Sequence, residues 1–141
     1  MTSFSYWFSF KVSDYRNLAK YTNKYNNVYA SIGNHPCNVA EEGVALPKEI
    51  IDICNEDKKI IGIGETGLDY FHDKSFIDQQ RQSFLNHIIA SQETQLPLII
   101  HSRNCDKDMI EILQSEQKNK KFPALLHCFS SSKELARRAI D

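Results

Sequence analysis

Three short segments of this sequence are apolar at every position, and each is followed by a stretch with the periodicity of an amphipathic helix. They are IIGI, LII and ALL, within residues 59–65, 96–102 and 122–129. A strand with one solvated face alternates apolar and polar residues, so continuous apolarity is typical of a parallel strand covered on both faces. Alternation of such strands with helices predicts an α/β fold built from βα units.

Two further strands and five helices complete the predicted order of elements. The strands are FSYWFSF (4–10) and NVYASIG (27–33). Apolar residues at helical spacing predict helices over residues 13–25, 46–57, 77–94, 106–117 and 131–140. We therefore expect about five parallel strands with flanking helices in one domain of 141 residues.

The longest helix, 77–94, carries one apolar stripe that is expected to face the sheet. The stripe consists of Ile77, Phe84, Leu85, Ile88 and Ile89. Polar residues such as Asn86 fall mostly outside it. His72 and His87 are interpreted as surface residues, and His87 is expected to have no chemical role.

Each of the three apolar strands ends on a residue that can bind a metal ion: Glu65, His101 or His127. The carboxyl ends of parallel strands lie on one side of the sheet, where active sites of α/β folds gather. Because side chains alternate between the two faces of a strand, each ligand is expected to share a face with apolar residues. The expected groupings are Glu65 with Ile61 and Ile63, His101 with Ile99, and His127 with Leu125.

Taken singly, each of these three residues has a structural explanation, since a strand-end histidine is often only hydrogen-bonded and Glu65 could cap a turn. Their repetition in consecutive βα units favours a shared metal site. Two neutral imidazoles and a carboxylate suit a first-row divalent ion or zinc. Such a site can turn water into a nucleophile near neutral pH.

Three more polar residues are expected beside these ligands. Arg103 could bind a phosphate group bidentately or form a surface ion pair. Asp69 could orient a metal ligand through a hydrogen bond or cap a turn. His35, in GNHP, could face the same rim, although its position before a proline also suits a turn.

Charge and cysteine content exclude several classes of protein. The net charge of −1 gives no global basic field for nonspecific DNA binding, but a metal-dependent enzyme that brings its own cations is not excluded. The four cysteines form no CxxC pair, which disfavours a structural zinc knuckle and indicates reduced thiols in a cytoplasmic protein. The first 16 residues fit neither a signal peptide nor a membrane span. We expect no membrane contact and no obligate protein partner.

The motifs IGETGLDY (63–70), LPLIIHSR (96–103) and LLHCFSSS (125–132) resemble three signatures of the TatD family of metal-dependent deoxyribonucleases, in order and in spacing. NVYASIGNHP (27–36) is similar to that family's strand followed by G-x-H-P. The resemblance extends over residues 12–141. It implies a TIM-like (β/α) barrel of the amidohydrolase type, two divalent cations (Mg, Mn or Zn), and 3′–5′ exonuclease-like hydrolysis of phosphodiester bonds in DNA.

Carried over by motif position, the resemblance implies that Glu65 bridges two cations and that His101 and His127 bind one of them. Arg103 and His35 become candidates for contact with the substrate phosphate. A bound cation would offset the cost of desolvating Glu65 at the end of a buried strand.

The sequence departs from the family pattern in two places: it contains no H-x-H pair, and nothing matches the family's final strand with its aspartate ligand and catalytic base. A complete barrel needs roughly 200 residues or more, so residues 1–141 are expected to form an incomplete domain without the first and the last two strands. We therefore assign no catalytic aspartate and expect one cation or none.

Three hypotheses about activity follow from these departures. The chain is an active metal-dependent phosphodiesterase, an inactive remnant of one, or half of a scaffold that a second chain completes. A hydrolase of another ester or of a cyclic amide is the alternative chemistry. An open sheet of this kind would expose two edges, which invite pairing with other chains, and an uncovered inner face lined by Ile61, Ile63, Ile99 and Leu125.

Overall fold

The computed structural model describes residues 5–9, 11–72 and 74–140. Its five strands form one sheet in the order β1-β2-β3-β4-β5, and every neighbouring pair is parallel. The strands are β1 (Ser5–Phe8), β2 (Val28–Ile32), β3 (Ile60–Asp69), β4 (Leu98–Arg103) and β5 (Ala124–Leu126). Phe10, in the predicted first strand, Asp73, and the ends of the predicted domain (residues 1–4 and Asp141) lie outside the described residues.

Six α-helices flank this sheet within the described ranges. They are α1 (Tyr15–Lys24), α2 (Val39–Glu42), α3 (Pro47–Glu56), α4 (Ile77–Thr94), α5 (Asp106–Asn119) and α6 (Lys133–Ile140), with 3-10 turns at Val12–Asp14 and Pro36–Asn38. The predicted α/β fold with five parallel strands and flanking helices is confirmed. The sequence prediction lacked α2 and the turn before it, because a helix of four residues is too short to show a period.

The hydrophobic core lies between the sheet and the helices. Its largest fully buried side chains include Phe84, Ile32, Ile50, Ile63, Leu68, Ile88, Leu98, Ile100, Met109 and Leu135. Burying one such side chain stabilises the fold by about 1.5–3 kcal/mol relative to leaving it exposed. The core therefore holds α4 and α5 against β3 and β4, which carry Glu65 and His101. The prediction that the first of these strands ends at Glu65 is wrong, because β3 continues to Asp69.

The predicted uncovered inner face is correct only in part. Ile61 and Leu125 are 40% and 46% exposed, but Ile99 is buried, and Ile63 is fully buried within the hydrophobic core. Gly62, not Ile63, lies on the same face of the sheet as Ile99. A Cβ built at Gly62 would point at that face and lie 2.8 Å from Ile99 Cδ1 and 2.9 Å from Tyr6 Oη. The register of β2 against β3 shifts at this point, which interrupts the regular alternation that the prediction assumed.

The interpretation of His87 as a surface residue is wrong, because its side chain is fully buried on α4. Its Nε2 accepts a hydrogen bond from the backbone N–H of Asn34 at 3.0 Å, and its Nδ1 donates to the carbonyl of Ser83 at 2.7 Å. Asn86 is buried as well and donates to the carbonyl of Ala45 at 2.9 Å. The buried face of α4 is thus partly polar, and its polar groups bind the loops that follow β2.

Two features of the structure concern the predictions about cellular location: the state of the cysteines and the character of the helices. All four cysteines are free thiols, with Cys37 and Cys128 exposed and Cys54 and Cys105 buried. In the described ranges, none of the helices has both the length and the apolarity that crossing a bilayer requires. The cytoplasmic location stays a prediction.

Candidate metal centre

Glu65 sits at an irregularity in β3. Its two neighbours in β3 pair with consecutive residues of β4, so Glu65 is an extra residue of the kind found in a β-bulge. Gly64 and Gly67, on either side of Glu65, have φ angles of 132° and 140°. Residues that carry a Cβ rarely adopt such angles. A Cβ at either glycine would overlap a backbone carbonyl of β4. The two glycines therefore let β3 run close against β4 while Glu65 points to the rim.

The structure brings the three predicted ligands together at this rim. Glu65 Oε1 lies 3.3 Å from His101 Nδ1 and 3.1 Å from His127 Nδ1. The Glu65 residue is only 7% exposed. The hydrogen bond with His101, helped by the one with His127, lowers the pKa of Glu65 to about 2 against the opposing effect of burial. The carboxylate is ionised and oriented by two imidazoles.

The imidazole of His101 lies between two carboxylates. Its Nε2 is 2.9 Å from Asp69 Oδ2, while its Nδ1 faces Glu65. Burial by itself would lower the pKa of His101, but the hydrogen bonds with Glu65 and Asp69 outweigh it and raise that pKa. Positive charge is therefore stabilised at this position. A metal-binding histidine typically donates its second N–H to a carboxylate in this way.

Asp69 fills both roles that the sequence left open, one with each oxygen. Oδ2 faces His101, whereas Oδ1 accepts the backbone N–H groups of Phe71 and His72, each at 3.0 Å, and so caps the turn after β3. Burial opposes ionisation of Asp69, but the hydrogen bonds from His72 and His101 keep its pKa well below the ordinary range.

His35 lies against the same centre. Its ring centroid is 4.5 Å from that of His101, and its Nδ1 accepts the backbone N–H of Cys37 at 3.3 Å. Burial, together with the neighbouring His101, lowers the pKa of His35 to about 4. Ligand atoms of His35, Glu65 and His101 all lie within 4.8 Å of one another, as a shared ion would require. The predicted ligand His127 contacts Glu65 but does not belong to this group, and His35 takes its place. This donor set of imidazole nitrogen and carboxylate oxygen fits a first-row divalent cation.

Arg103 lies at the exposed end of β4, outside this cluster. Its guanidinium carbon is 4.1 Å from the centre of the Phe71 ring, a cation–π arrangement. Among the ion pairs found within the described residues, none includes Arg103. The surface ion pair proposed as its alternative role is therefore absent from that part of the chain.

Sequence reasoning missed Gln80, a buried residue of α4 that fixes Asp69. Its side-chain oxygen accepts the Asp69 backbone N–H at 2.9 Å, and its side-chain nitrogen donates to the Asp69 carbonyl at 3.2 Å. Helical spacing could have revealed it, because Gln80 and His87 are four residues before and three after Phe84, on the same helix face.

Comparison with known proteins gives one consistent result. A family model described as TatD related DNase matches residues 4–141. The metal-dependent hydrolase YabD of Bacillus subtilis is 38% identical over 120 residues, which are 83% of this chain and 45% of that protein. YcfH of Escherichia coli, also described as a metal-dependent hydrolase, is 32% identical over 118 residues, 82% of this chain and 42% of that protein. The chain thus spans about half the length of these relatives.

Solved structures show the same fold over the same extent. YJJV, a TatD homologue from Escherichia coli, superposes with a TM-score of 0.83 at 20% identity and covers 96% of this chain and 52% of its own. A TatD family hydrolase from Entamoeba histolytica gives a TM-score of 0.72 at 26% identity, with 96% and 48% covered. The fold described above therefore matches about half of each of these structures.

Proposed function

The chain belongs to the family of TatD-related DNases, and on this premise we propose that it acts in the metal-dependent hydrolysis of phosphodiester bonds in DNA, as a 3′–5′ exonuclease. One observation carries the proposal. Glu65, His101 and His127 come from three different strands, and both imidazoles direct Nδ1 at the same oxygen of Glu65. A carboxylate oxygen and imidazole nitrogens directed at one point are the donors that a first-row divalent cation prefers.

In this proposal Glu65, His101 and His127 hold the cation, with His35 beside them. A divalent cation supplies the positive charge that lowers the pKa of a water molecule and polarises a phosphoryl oxygen. Asp69 keeps the imidazole of His101 in one orientation through the 2.9 Å contact at Nε2, which leaves Nδ1 directed at the centre. Gln80 in turn holds the backbone of Asp69.

Arg103 and Phe71 support a nucleic-acid substrate. The guanidinium presents several N–H groups in one plane, a geometry that suits phosphate oxygens. The exposed ring of Phe71 beneath it offers a surface on which a base can stack, worth about 1–3 kcal/mol per base. Arg103 also lines a pocket together with the serines 130–132, Asn104 and Asp106. The serine hydroxyl groups are further donors for a phosphate, while the Asp106 carboxylate accepts the backbone N–H of Ser132.

The proposal is tested with purified protein stripped of metal by a chelator and then supplied with Mg²⁺, Mn²⁺ or Zn²⁺. Single-stranded oligonucleotides labelled at the 5′ or the 3′ end report both cleavage and polarity. We expect metal-dependent shortening from the 3′ end. Glu65→Gln should reduce the rate by at least about 10–100-fold, the loss that follows removal of even an indirect partner of a metal ligand.

The matched control is Glu93→Gln, which alters an exposed carboxylate paired with Lys120 on the surface and should keep the wild-type rate. Equal rates for Glu65→Gln and wild type, or no cleavage with any of the three metals, would refute the proposal for this chain alone. An aryl ester and a cyclic amide assayed in parallel test the alternative chemistry. Cleavage that requires added protein spanning the remainder of a relative would favour the hypothesis of a scaffold in two chains.

A further inference from the structure

A second cluster of metal-binding side chains lies next to the candidate centre and does not include Glu65. It consists of Cys37, from the turn after β2, Asp69, at the end of β3, and His72, in the turn that follows. Cys37 Sγ is 3.7 Å from Asp69 Oδ2 and 3.9 Å from His72 Nδ1, and Asp69 Oδ2 is 2.9 Å from His72 Nδ1. The three atoms form a closed triangle.

The size of this triangle matches one face of a tetrahedral zinc site. Zinc lies about 2.3 Å from sulfur and about 2.0–2.1 Å from nitrogen or oxygen, so ligand atoms in a tetrahedral site are roughly 3.3–3.6 Å apart. The observed separations of 2.9, 3.7 and 3.9 Å lie on either side of that range. Small rotations of the exposed Cys37 and His72 side chains bring all three atoms to bonding distance.

The chemistry of the donors separates this cluster from the Glu65 centre. A thiolate sulfur favours soft or borderline metals such as zinc over magnesium, whereas imidazole and carboxylate also suit zinc. The Cys37 thiol donates to Asp69 in this structure, so a metal that binds the sulfur displaces the thiol proton to solvent. The resulting thiolate and the carboxylate together carry two negative charges, which neutralise a divalent cation. The neighbouring set of His35, Glu65 and His101 has one negative charge and no sulfur.

One residue of this cluster is held rigidly, and another is open to solvent. Asp69 is fully buried and is fixed by the N–H groups of two residues in the turn and by Gln80. Cys37 is exposed, so an ion can enter from solvent. The exposed Cys128 gives a contrast. Its sulfur contacts one potential ligand atom, His127 Nε2 at 3.6 Å, and within the described residues no group of three potential metal ligands includes either residue.

We propose that Cys37, Asp69 and His72 form a separate zinc-type site, with a water molecule as the fourth ligand. A metal here joins the turn after β2 to the turn after β3. It also binds the same oxygen of Asp69 that faces His101, so it holds in place the residue that orients His101.

Cobalt substitution tests the site, because a thiolate bound to Co²⁺ gives a ligand-to-metal charge-transfer band in the near ultraviolet. The metal-stripped protein is titrated with Co²⁺ in wild type, Cys37→Ser, His72→Ala, Glu65→Gln and Cys128→Ser. We expect the band in wild type, Glu65→Gln and Cys128→Ser. Cys37→Ser should abolish it, and His72→Ala should weaken binding by more than about 10–100-fold, the cost of losing only an indirect partner.

Alkylation followed by mass spectrometry gives a second measurement with a control in the same molecule. Added Zn²⁺ should protect Cys37 from modification and leave Cys128 reactive. A band that persists in Cys37→Ser and disappears in Cys128→Ser, or equal labelling of Cys37 with and without Zn²⁺, would overturn the proposal. Because Glu65→Gln is expected to keep this site, failure here is distinct from failure of the proposed hydrolase activity.

Discussion

Mild acid should destabilise this protein through His87. The ring is fully buried, and its two nitrogens serve different roles: Nε2 accepts the N–H of Asn34 at 3.0 Å and Nδ1 donates to the carbonyl of Ser83 at 2.7 Å. A proton added to Nε2 would remove the acceptor that Asn34 uses and would place a charge in the core. Burial accordingly lowers the pKa of His87 to about 4.

The magnitude follows from the difference between the folded and unfolded states. In the unfolded chain a histidine has a pKa of about 6.5. Between that pH and about 4 the unfolded chain binds one more proton than the native state, so the free energy of unfolding falls as the pH falls. The slope is about 1.4 kcal/mol per pH unit. From pH 7.5 to pH 5, the loss due to His87 is about 2 kcal/mol.

The assay compares urea unfolding of wild type and His87→Leu at these two pH values, with a chelator present. Leucine fills a similar volume and cannot titrate. From pH 7.5 to pH 5, the free energy of unfolding of the wild type should fall by about 2 kcal/mol more than that of His87→Leu. At pH 7.5 the variant should be less stable by about 1–3 kcal/mol, because the Asn34 N–H is left buried without an acceptor. Titration of His35 and His101 is common to both proteins and cancels in the comparison.

His87→Gln is the companion variant, since its amide can accept a hydrogen bond but takes up no proton at these pH values. Its free energy of unfolding should depend on pH as weakly as that of His87→Leu, and at pH 7.5 it should be higher than that of His87→Leu. If wild type and both variants lost the same free energy between the two pH values, the assignment of this effect to a buried neutral His87 would be wrong.

Two further substitutions test how the end of β3 is held, both by urea unfolding. Gln80→Leu leaves the backbone N–H and carbonyl of Asp69 without their partners. It should lower the free energy of unfolding by about 1–3 kcal/mol for each of these groups. The control Gln79→Leu, at an exposed position of the same helix, should change the free energy of unfolding by less than about 0.5 kcal/mol. Gly67→Ala should cost more than Gly43→Ala, because both glycines have positive φ but only a Cβ at Gly67 overlaps the backbone of β4; equal costs would contradict the close approach of β3 to β4.

Much of the fold is predictable from sequence because strands and long helices have local periods. The predicted helix 77–94 agrees with α4 at both ends, and continuous apolar runs correctly indicated parallel strands. The same signals failed where the backbone departs from regularity. The prediction that Glu65 shares a face with Ile63 assumed strict alternation, whereas the strand contains an extra residue at Glu65.

The sequence by itself determined the parallel α/β architecture and the presence of a potential metal ligand within or directly after each of three strands. Both features depend only on short stretches of neighbouring residues. Only the tertiary structure decided which polar groups are buried. His87 depends on a residue 53 positions away, and Cys37 meets Asp69 and His72 across 32 and 35 positions. A polar side chain can enter the core only where a distant segment supplies its hydrogen-bond partner, and no local pattern records that partner.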